Sequence, residues 1–174
     1  MKTLKETDNK IISYLTFRLG NETFAANVSK VVNILEMVKI TKVPKTPVYM
    51  KGIINLRGAV LPIIDTRIKF DMEETPVTNS TCILVLEIKK SKEIIQVGAL
   101  VDAVDEVVEI EDEEILDPPA VNKDYSNAFI SGMAHKGEGF IMILDMDYIF
   151  SSEEIKEIKE KTEKNASIAE NVKQ

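Results

Sequence analysis

Short apolar runs rich in valine and isoleucine recur along the chain, separated by glycine, proline and polar residues. Such short β-branched runs predict strands, because an amphipathic helix needs a longer stretch with apolar residues three and four positions apart. Pro44, Pro47 and the Pro118–Pro119 pair lie between the runs, in loops where the missing amide donor interrupts no sheet. The pattern predicts a mostly β fold of small barrels or a sandwich. The predicted strands are 11–19, 23–27, 53–56, 59–64, 81–89, 93–103, 107–110, 129–134 and 140–144.

The chain also contains a weak internal repeat. Residues 28–34 and 104–110 have apolar side chains at the same four positions. Later in each half, an apolar strand leads to an aspartate followed five residues later by a phenylalanine: Asp65 with Phe70, and Asp145 with Phe150. Chance similarity among valine-rich strands is one explanation, but the matching order favours two related half-chains that each build one small barrel. The polar segment 71–80 is the predicted boundary between the two barrels.

The C-terminal segment 151–174 has a different pattern. Ser151 and Glu154 form a capping box, in which each side chain accepts a hydrogen bond from the other residue's amide. Ile155 and Ile158 lie on one face of the predicted helix, which carries mostly charged residues elsewhere. Apolar residues are sparse beyond residue 164, so fraying or disorder is expected there.

The composition of the 174 residues is that of a globular protein. The net charge of −7 limits the classes of partner that the chain is expected to bind. An acidic chain is a poor ligand for nucleic acid or an anionic membrane surface, so a protein or small-molecule partner is expected. The charged segment 1–10 has no apolar core of a secretion signal and is predicted to be flexible. A single cysteine, Cys82, permits no internal disulfide, which suits the cytoplasm.

The sequence offers little catalytic chemistry. The only histidine, His135, precedes a glycine-rich turn, and Cys82 opens an apolar strand where a buried, inert thiol is expected. No spacing of cysteine and histidine suggests a metal centre, and the acidic stretch 105–117 lacks the glycine of a calcium-binding loop. We therefore expect no catalytic residues, no metal and no cofactor. A small β-barrel enzyme or ligand-binding protein of unknown substrate remains the alternative.

One motif carries a family resemblance. Residues 55–58 (Asn-Leu-Arg-Gly), followed by Val60, Pro62 and Asp65, resemble the N-L-R-G-x-V-x-P-x-x-D signature of CheW-like domains. Further matches in the same order extend the resemblance over residues 11–150. They are Gly20-x-Glu22-x-Phe24, Val28-x-x-Val31, Val43-Pro44, Gly98-x-x-Val101-Asp102-x-Val104, Ile130-x-Gly132 and Leu144-Asp145.

The resemblance implies two five-stranded SH3-like β-barrels that share a hydrophobic core, with short connecting helices and a C-terminal helix. Stand-alone members of the family couple the cytoplasmic tip of methyl-accepting chemotaxis receptors to the regulatory domain of the CheA histidine kinase. No kinase or receiver domain is expected here, so the resemblance implies a non-enzymatic adaptor. It implies a cytoplasmic protein recruited to receptor arrays, with no nucleic-acid binding and no membrane insertion.

The resemblance also implies two sets of contact residues. For the receptor they are Val31, Val32, Asn33, Asn55, Leu56, Arg57, Val101, Asp102 and Val104. For the kinase they are Pro44, Thr46, Pro47 and Val121. The valines have an alternative role as barrel core, and Arg57 as a brace of its own hairpin. Family members often carry a glutamate at the position of Asn33 that pairs with this arginine, so Arg57 either finds another acid, such as Glu36, or is freer to engage a partner.

Overall fold

The computed structural model describes residues 10–118 and 129–172, with side chains as far as residue 163. Ten strands and two helices make up most of the described chain. The strands are β1 Ile11–Leu19, β2 Glu22–Asn27, β3 Val31–Glu36, β4 Met50–Leu56, β5 Ala59–Asp65, β6 Cys82–Lys90, β7 Glu93–Val101, β8 Ala103–Glu111, β9 Ile130–Lys136 and β10 Gly139–Leu144. The helices are α1 Thr66–Lys69 and α2 Ser152–Val172, and three short 3-10 turns connect other elements.

The strands form two five-stranded sheets of matching design. The first, barrel A, has the order β8-β1-β2-β10-β9, and the second, barrel B, has the order β3-β6-β7-β5-β4. Each sheet contains one parallel pair, β2 with β10 and β5 with β7. In each barrel an isolated bridge joins the segment after one edge strand to the strand at the opposite edge. Leu116, after β8, pairs with Met133 of β9, and Thr41, after β3, pairs with Ile53 of β4. The predicted mostly β fold with two five-stranded SH3-like units and a C-terminal helix is confirmed.

The predicted division of the chain between the barrels is wrong. Segment 71–80 connects α1 to β6, and the strands on both sides of it belong to barrel B. It does separate the two repeats, β1–β5 and β6–β10, but these half-chains exchange their first hairpins: β1–β2 joins β8–β10, and β6–β7 joins β3–β5. The polar composition of the segment reports its exposure to solvent, and exposure does not determine which sheet the next strand joins.

Two further differences concern strand boundaries. Strand β3 was not among the predicted strands, because Asn33 interrupts its apolar run and its exposed positions alternate with half-buried ones. The predicted strand 93–103 is two strands, since the chain leaves barrel B after Val101 and enters barrel A at Ala103. Residue 102 is therefore a crossover between the barrels.

The repeat itself is visible in the structure. Asp65 ends β5 and its carboxylate accepts a hydrogen bond from the amide of Arg67 at 3.0 Å. Asp145 follows β10 and its carboxylate accepts one from the amide of Asp147 at 3.1 Å. The two aspartates of the repeat thus start equivalent turns, which argues against chance similarity.

The hydrophobic core is shared between the barrels. Strand β6 illustrates this, because Leu84, Leu86 and Ile88 belong to a large cluster that includes residues of both sheets, while Ile83 and Val85 point into barrel B. A third cluster fills barrel A. Because successive side chains of a strand alternate between faces, a strand buried on both faces has a continuous apolar run.

Helix α2 closes one side of the shared core. Its capping box is present as predicted, with the Glu154 amide donating to the Ser151 hydroxyl at 3.1 Å and the Ser151 amide donating to the Glu154 carboxylate at 2.9 Å. Ile155 and Ile158 are each 1% exposed and pack in the shared core. The backbone is helical to Val172, so the described helix continues past residue 164, where apolar residues become sparse. No described helix is long and apolar enough to cross a membrane.

Candidate functional site

An open groove of about 590 Å³ lies where the barrels meet. Barrel A contributes Arg18, Ala103 and Val104 to its wall, and barrel B contributes the end of β3 with the residue after it, Glu36 and Met37. Segment 78–82, which leads into β6, completes the lining. The groove is therefore lined mainly by charged and polar side chains, and Met37, Ala103 and Val104 are its apolar part.

Strand β3 extends this surface along the edge of barrel B. Among the described strands, its only neighbour in the sheet is β6. Val32 and Ile34 are 50% and 46% exposed. Ile34 lies opposite Leu84 of the shared core, so it faces the side of the sheet on which the barrels meet. We call Val28, Val32, Ile34 and Val38 the β3 strip; all four are large apolar residues exposed to solvent. Val31 is half-buried and packs against the shared core.

The β4–β5 turn presents Arg57. Arg57 and Gly58 have φ angles of 52° and 86°, the conformation of a two-residue turn with both central residues left-handed. Asn55 stabilises the turn, because its side-chain oxygen accepts a hydrogen bond from the Gly58 amide at 2.8 Å. Leu56 is half-buried against the core of barrel B. The backbone and Asn55 therefore hold the hairpin, and the exposed Arg57 side chain forms no hydrogen bond or ion pair with any described residue.

Asn33 does not replace the missing acid. Its side-chain oxygen accepts a hydrogen bond from the next amide, that of Ile34, at 2.8 Å. Glu36 also forms no ion pair with Arg57 among the described residues. In the structure, therefore, Arg57 has found no other acid among the described residues, which is the second of the two alternatives.

The crossover residues divide into three roles. Val101 is 0% exposed in the shared core, so it offers no surface to a receptor, and its assignment as a contact residue is corrected to a core role. Asp102 accepts hydrogen bonds with both carboxylate oxygens from within the protein. Val104 is half-buried and lines the groove, so it alone of the three stays a candidate contact.

A buried ion network beside the crossover was not predicted. Arg67 is 3% exposed, and its guanidinium binds Asp65 through two nitrogens at 2.9 and 3.0 Å and Asp102 through a third at 2.8 Å. Hydrogen bonds and charge from Asp65, joined by Asp102, raise the pKa of Arg67 above its usual value despite burial. The signal available in the sequence is the charged residue two positions after the aspartate in each copy of the repeat, Arg67 and Asp147.

The predicted kinase contacts lie in the loop between β3 and β4. Pro44 is exposed, whereas Thr46 and Pro47 are half-buried. The Thr46 hydroxyl donates to the Val43 carbonyl at 3.1 Å and closes a tight turn. Val48, next in sequence, is 81% exposed, the highest value among the exposed large apolar residues. Val121 lies outside the described residues.

The same loop is basic in an otherwise acidic chain. Lys39, Lys42 and Lys45 are all exposed beside Val38 and Val48. Such a surface favours a partner with acidic groups around an apolar patch. The three lysines and Val48 do not line the groove.

The residues considered for chemistry have ordinary surroundings. The half-buried Cys82 thiol donates to the Ser80 carbonyl at 3.1 Å, and the exposed His135 ring lies 4.9 Å from that of Phe140. No group of three or more metal-ligating side chains occurs among the described residues. At α2, burial and the neighbouring Glu154 raise the pKa of Tyr49. Although burial alone would raise it, hydrogen bonds from Lys69 and from the Ser151 amide hold the pKa of Glu154 below its usual value.

Comparison with known proteins identifies the family. The model of the CheW-like domain family matches residues 13–154. The probable chemotaxis protein CheW of Rhizobium etli is 33% identical over 154 residues, which span 88% of this chain and 95% of the relative. The chemotaxis protein CheW of Klebsiella aerogenes is 32% identical, over 82% of this chain and 83% of the relative.

A solved structure gives the same result. The scaffolding protein TtCheW from Thermoanaerobacter tengcongensis superposes with a TM-score of 0.71 and is 31% identical, covering 82% of this chain and 94% of its own. The relatives are chemotaxis and scaffolding proteins, which bears out the prediction of a protein-interaction role over the alternative of an enzyme. The chain belongs to the CheW-like domain family and is a non-enzymatic scaffold of chemotaxis signalling.

Proposed function

We propose that the chain is an adaptor that binds the cytoplasmic tip of methyl-accepting chemoreceptors and the regulatory domain of the CheA histidine kinase at the same time. The observation that carries the proposal is the β3 strip beside the inter-barrel groove, because such exposed apolar surface marks a protein-docking site. The proposal places the protein in the cytoplasm, recruited to receptor arrays.

The receptor is assigned to the groove and the β3 strip. A receptor tip is a helical hairpin, and an amphipathic helix docks by laying its apolar face into an apolar groove. Val32 and Ile34 are about half exposed, so covering them yields roughly 1 kcal/mol each at the usual value per buried apolar area. Arg57 adds a planar fork of donors for receptor carboxylates or carbonyls, and none of these donors is engaged by a described residue.

The kinase is assigned to the loop between β3 and β4. The exposed Pro44 and Val48 form its apolar tip, and the lysines around them provide charge steering toward an acidic partner. Proline restricts the loop, so little conformational entropy is lost on binding. The tip does not line the groove, so the proposal assigns different residues to the two partners.

Titrations with a purified receptor-tip fragment and a CheA regulatory domain test the proposal. We expect Val32→Glu to weaken receptor binding alone, because it places a charge in the strip, and Val48→Glu to weaken kinase binding alone. The control is Ile94→Glu, which alters an equally exposed apolar residue of β7 outside both surfaces and should change neither affinity. Absence of detectable binding to either partner by the unmodified chain would reject the adaptor role.

A further inference from the structure

Asp102 occupies the single position between β7 of barrel B and β8 of barrel A. Its amide donates to the Arg18 carbonyl at 3.0 Å, and its Oδ2 accepts from the Gly20 amide at 2.6 Å. Both bonds lead to the β1–β2 hairpin of barrel A. The residue is therefore anchored to barrel A by its backbone and by one side-chain oxygen.

The other oxygen of Asp102 leads to barrel B. Oδ1 accepts from Nη1 of Arg67 at 2.8 Å, and Arg67 is held in turn by Asp65 at the end of β5. Thr75 joins the network, because its hydroxyl contacts both Arg67 and Asp102, while its carbonyl accepts from Nη1 at 2.8 Å. One carboxylate thus links the two barrels by charge-assisted hydrogen bonds, which are shorter and more directional than neutral ones.

The other crossover has a comparable joint with the charges reversed. Between β2 and β3, the ammonium of Lys30 binds the Asp147 carboxylate at 2.9 Å, and the same carboxylate accepts from the Lys89 amide at 2.8 Å. Asp147 stands two residues after Asp145, as Arg67 stands two residues after Asp65. Both halves of the repeat therefore place a charged side chain at this turn that binds a crossover segment.

We propose that Asp102 is a positioning residue of the docking groove, which sets the separation of the groove's two walls without contacting the partner. The shared apolar core holds the barrels together, and the Asp102 hydrogen bonds add directional contacts to this non-directional attraction. The barrel A side of the groove is formed by Arg18, whose carbonyl binds the Asp102 amide, and by Ala103 and Val104, which follow Asp102 in the chain. The assignment of this groove to the receptor rests on the proposed function, whereas the joint itself does not.

The test is Asp102→Asn, which removes the charge and keeps the shape. Arg67 keeps Asp65 as its counter-ion, so no buried charge is left unpaired. The matched control is Glu93→Gln, which makes the same change in the exposed ion pair with Lys159, outside the groove. Spin labels on cysteines at Lys92 and Glu113, exposed positions of barrels B and A, report the distance between the barrels in a Cys82→Ser background.

We expect Asp102→Asn to broaden the inter-barrel distance distribution and to weaken binding of the receptor-tip fragment about tenfold, the effect of one charge-assisted hydrogen bond. The affinity for the kinase domain and both properties of Glu93→Gln should stay unchanged. An unaltered distance distribution overturns the proposal, and weaker binding with unaltered distances would show that Asp102 contacts the receptor directly. Broadening with full receptor affinity also overturns it.

Two further outcomes are kept separate. If the unmodified chain does not bind the receptor fragment, the proposed function fails, and the distances alone decide whether Asp102 fixes the barrels. If Asp102→Asn does not fold, Thr75→Val replaces it, because that change removes one link of the network and no charge. Thr75→Val should broaden the same distribution, and an unchanged one overturns the proposal.

Discussion

Substituting Arg57 by asparagine separates the two roles that this residue could have. Its φ of 52° places it in the left-handed region, which costs roughly 1 kcal/mol or more for most residues and least for glycine and asparagine. The adjoining Gly58 has a φ of 86°, and Asn-Gly is the preferred sequence of such a turn. Because the Arg57 side chain has no partner among the described residues, nothing favourable is lost in the folded state.

We therefore expect Arg57→Asn to raise the free energy of unfolding by about 0.5–1 kcal/mol, and the melting temperature by about 2 °C. Binding of the receptor fragment should move in the opposite direction. Arginines at the centre of interfaces often contribute 2 kcal/mol or more, which corresponds to a loss of about thirtyfold in affinity. A gain in stability with a loss in binding is the pattern of a residue retained for a partner.

Denaturant unfolding and calorimetric titration of the same preparation measure the two quantities. Ser91→Asn is the control, since Ser91 also has a positive φ, 55°, in the β6–β7 hairpin. It should leave receptor binding unchanged. A lower stability of Arg57→Asn would refute the reasoning, because it would show that the guanidinium braces its own turn. Arg57→Glu should also weaken receptor binding more than folding, and equal losses of both would point to a structural residue.

Three more predictions concern stability. Gly52→Ala should cost at least ~2 kcal/mol, because the new Cβ would lie 2.1 Å from the Thr41 carbonyl oxygen at the bridge that closes barrel B; urea unfolding measures it. Deleting 165–174 should leave the melting temperature unchanged, whereas deleting 152–174 removes two buried isoleucines and should cost about 4 kcal/mol. Glu154→Gln should destabilise the protein at neutral pH. A carboxylate with a lowered pKa contributes stability above its unfolded pKa and loses it as pH falls through its folded pKa, so the difference from the unmodified chain should vanish in acid, which unfolding curves at several pH values would show.

The sequence predicts elements better than their partners. The hairpins and the capping box follow from apolar periodicity and turn residues, which are local properties. The exchange of hairpins between the half-chains is not local, because β1–β2 has the same pattern whichever set of strands it joins. The same limit applies to β3, where Asn33 weakened a pattern that pairing with β6 completes.

The candidate site shows a similar division. The resemblance implied that Arg57 and Val104 are contact residues, and in the structure Arg57 is exposed on its hairpin while Val104 lines the groove. It could not separate Val101, which is buried, from its neighbour Val104, because two valines three residues apart have the same chemistry in sequence. The role of Arg67 depends on Asp102, a partner brought near only by folding.

The exchanged hairpins also set an order for synthesis on the ribosome. Barrel B is one continuous stretch, 31–101, so it can close as soon as β7 has emerged. The β1–β2 ribbon emerges first, yet its parallel neighbour β10 emerges among the last elements. Until then the nascent ribbon lacks the β10 residues that cover Tyr14 and Ala25 in the core of barrel A, and such a delay favours association with chaperones or other chains. A chain truncated before Gly139 should therefore form barrel B and leave the β1–β2 hairpin without its β10 partner, as an exposed sheet edge that promotes association.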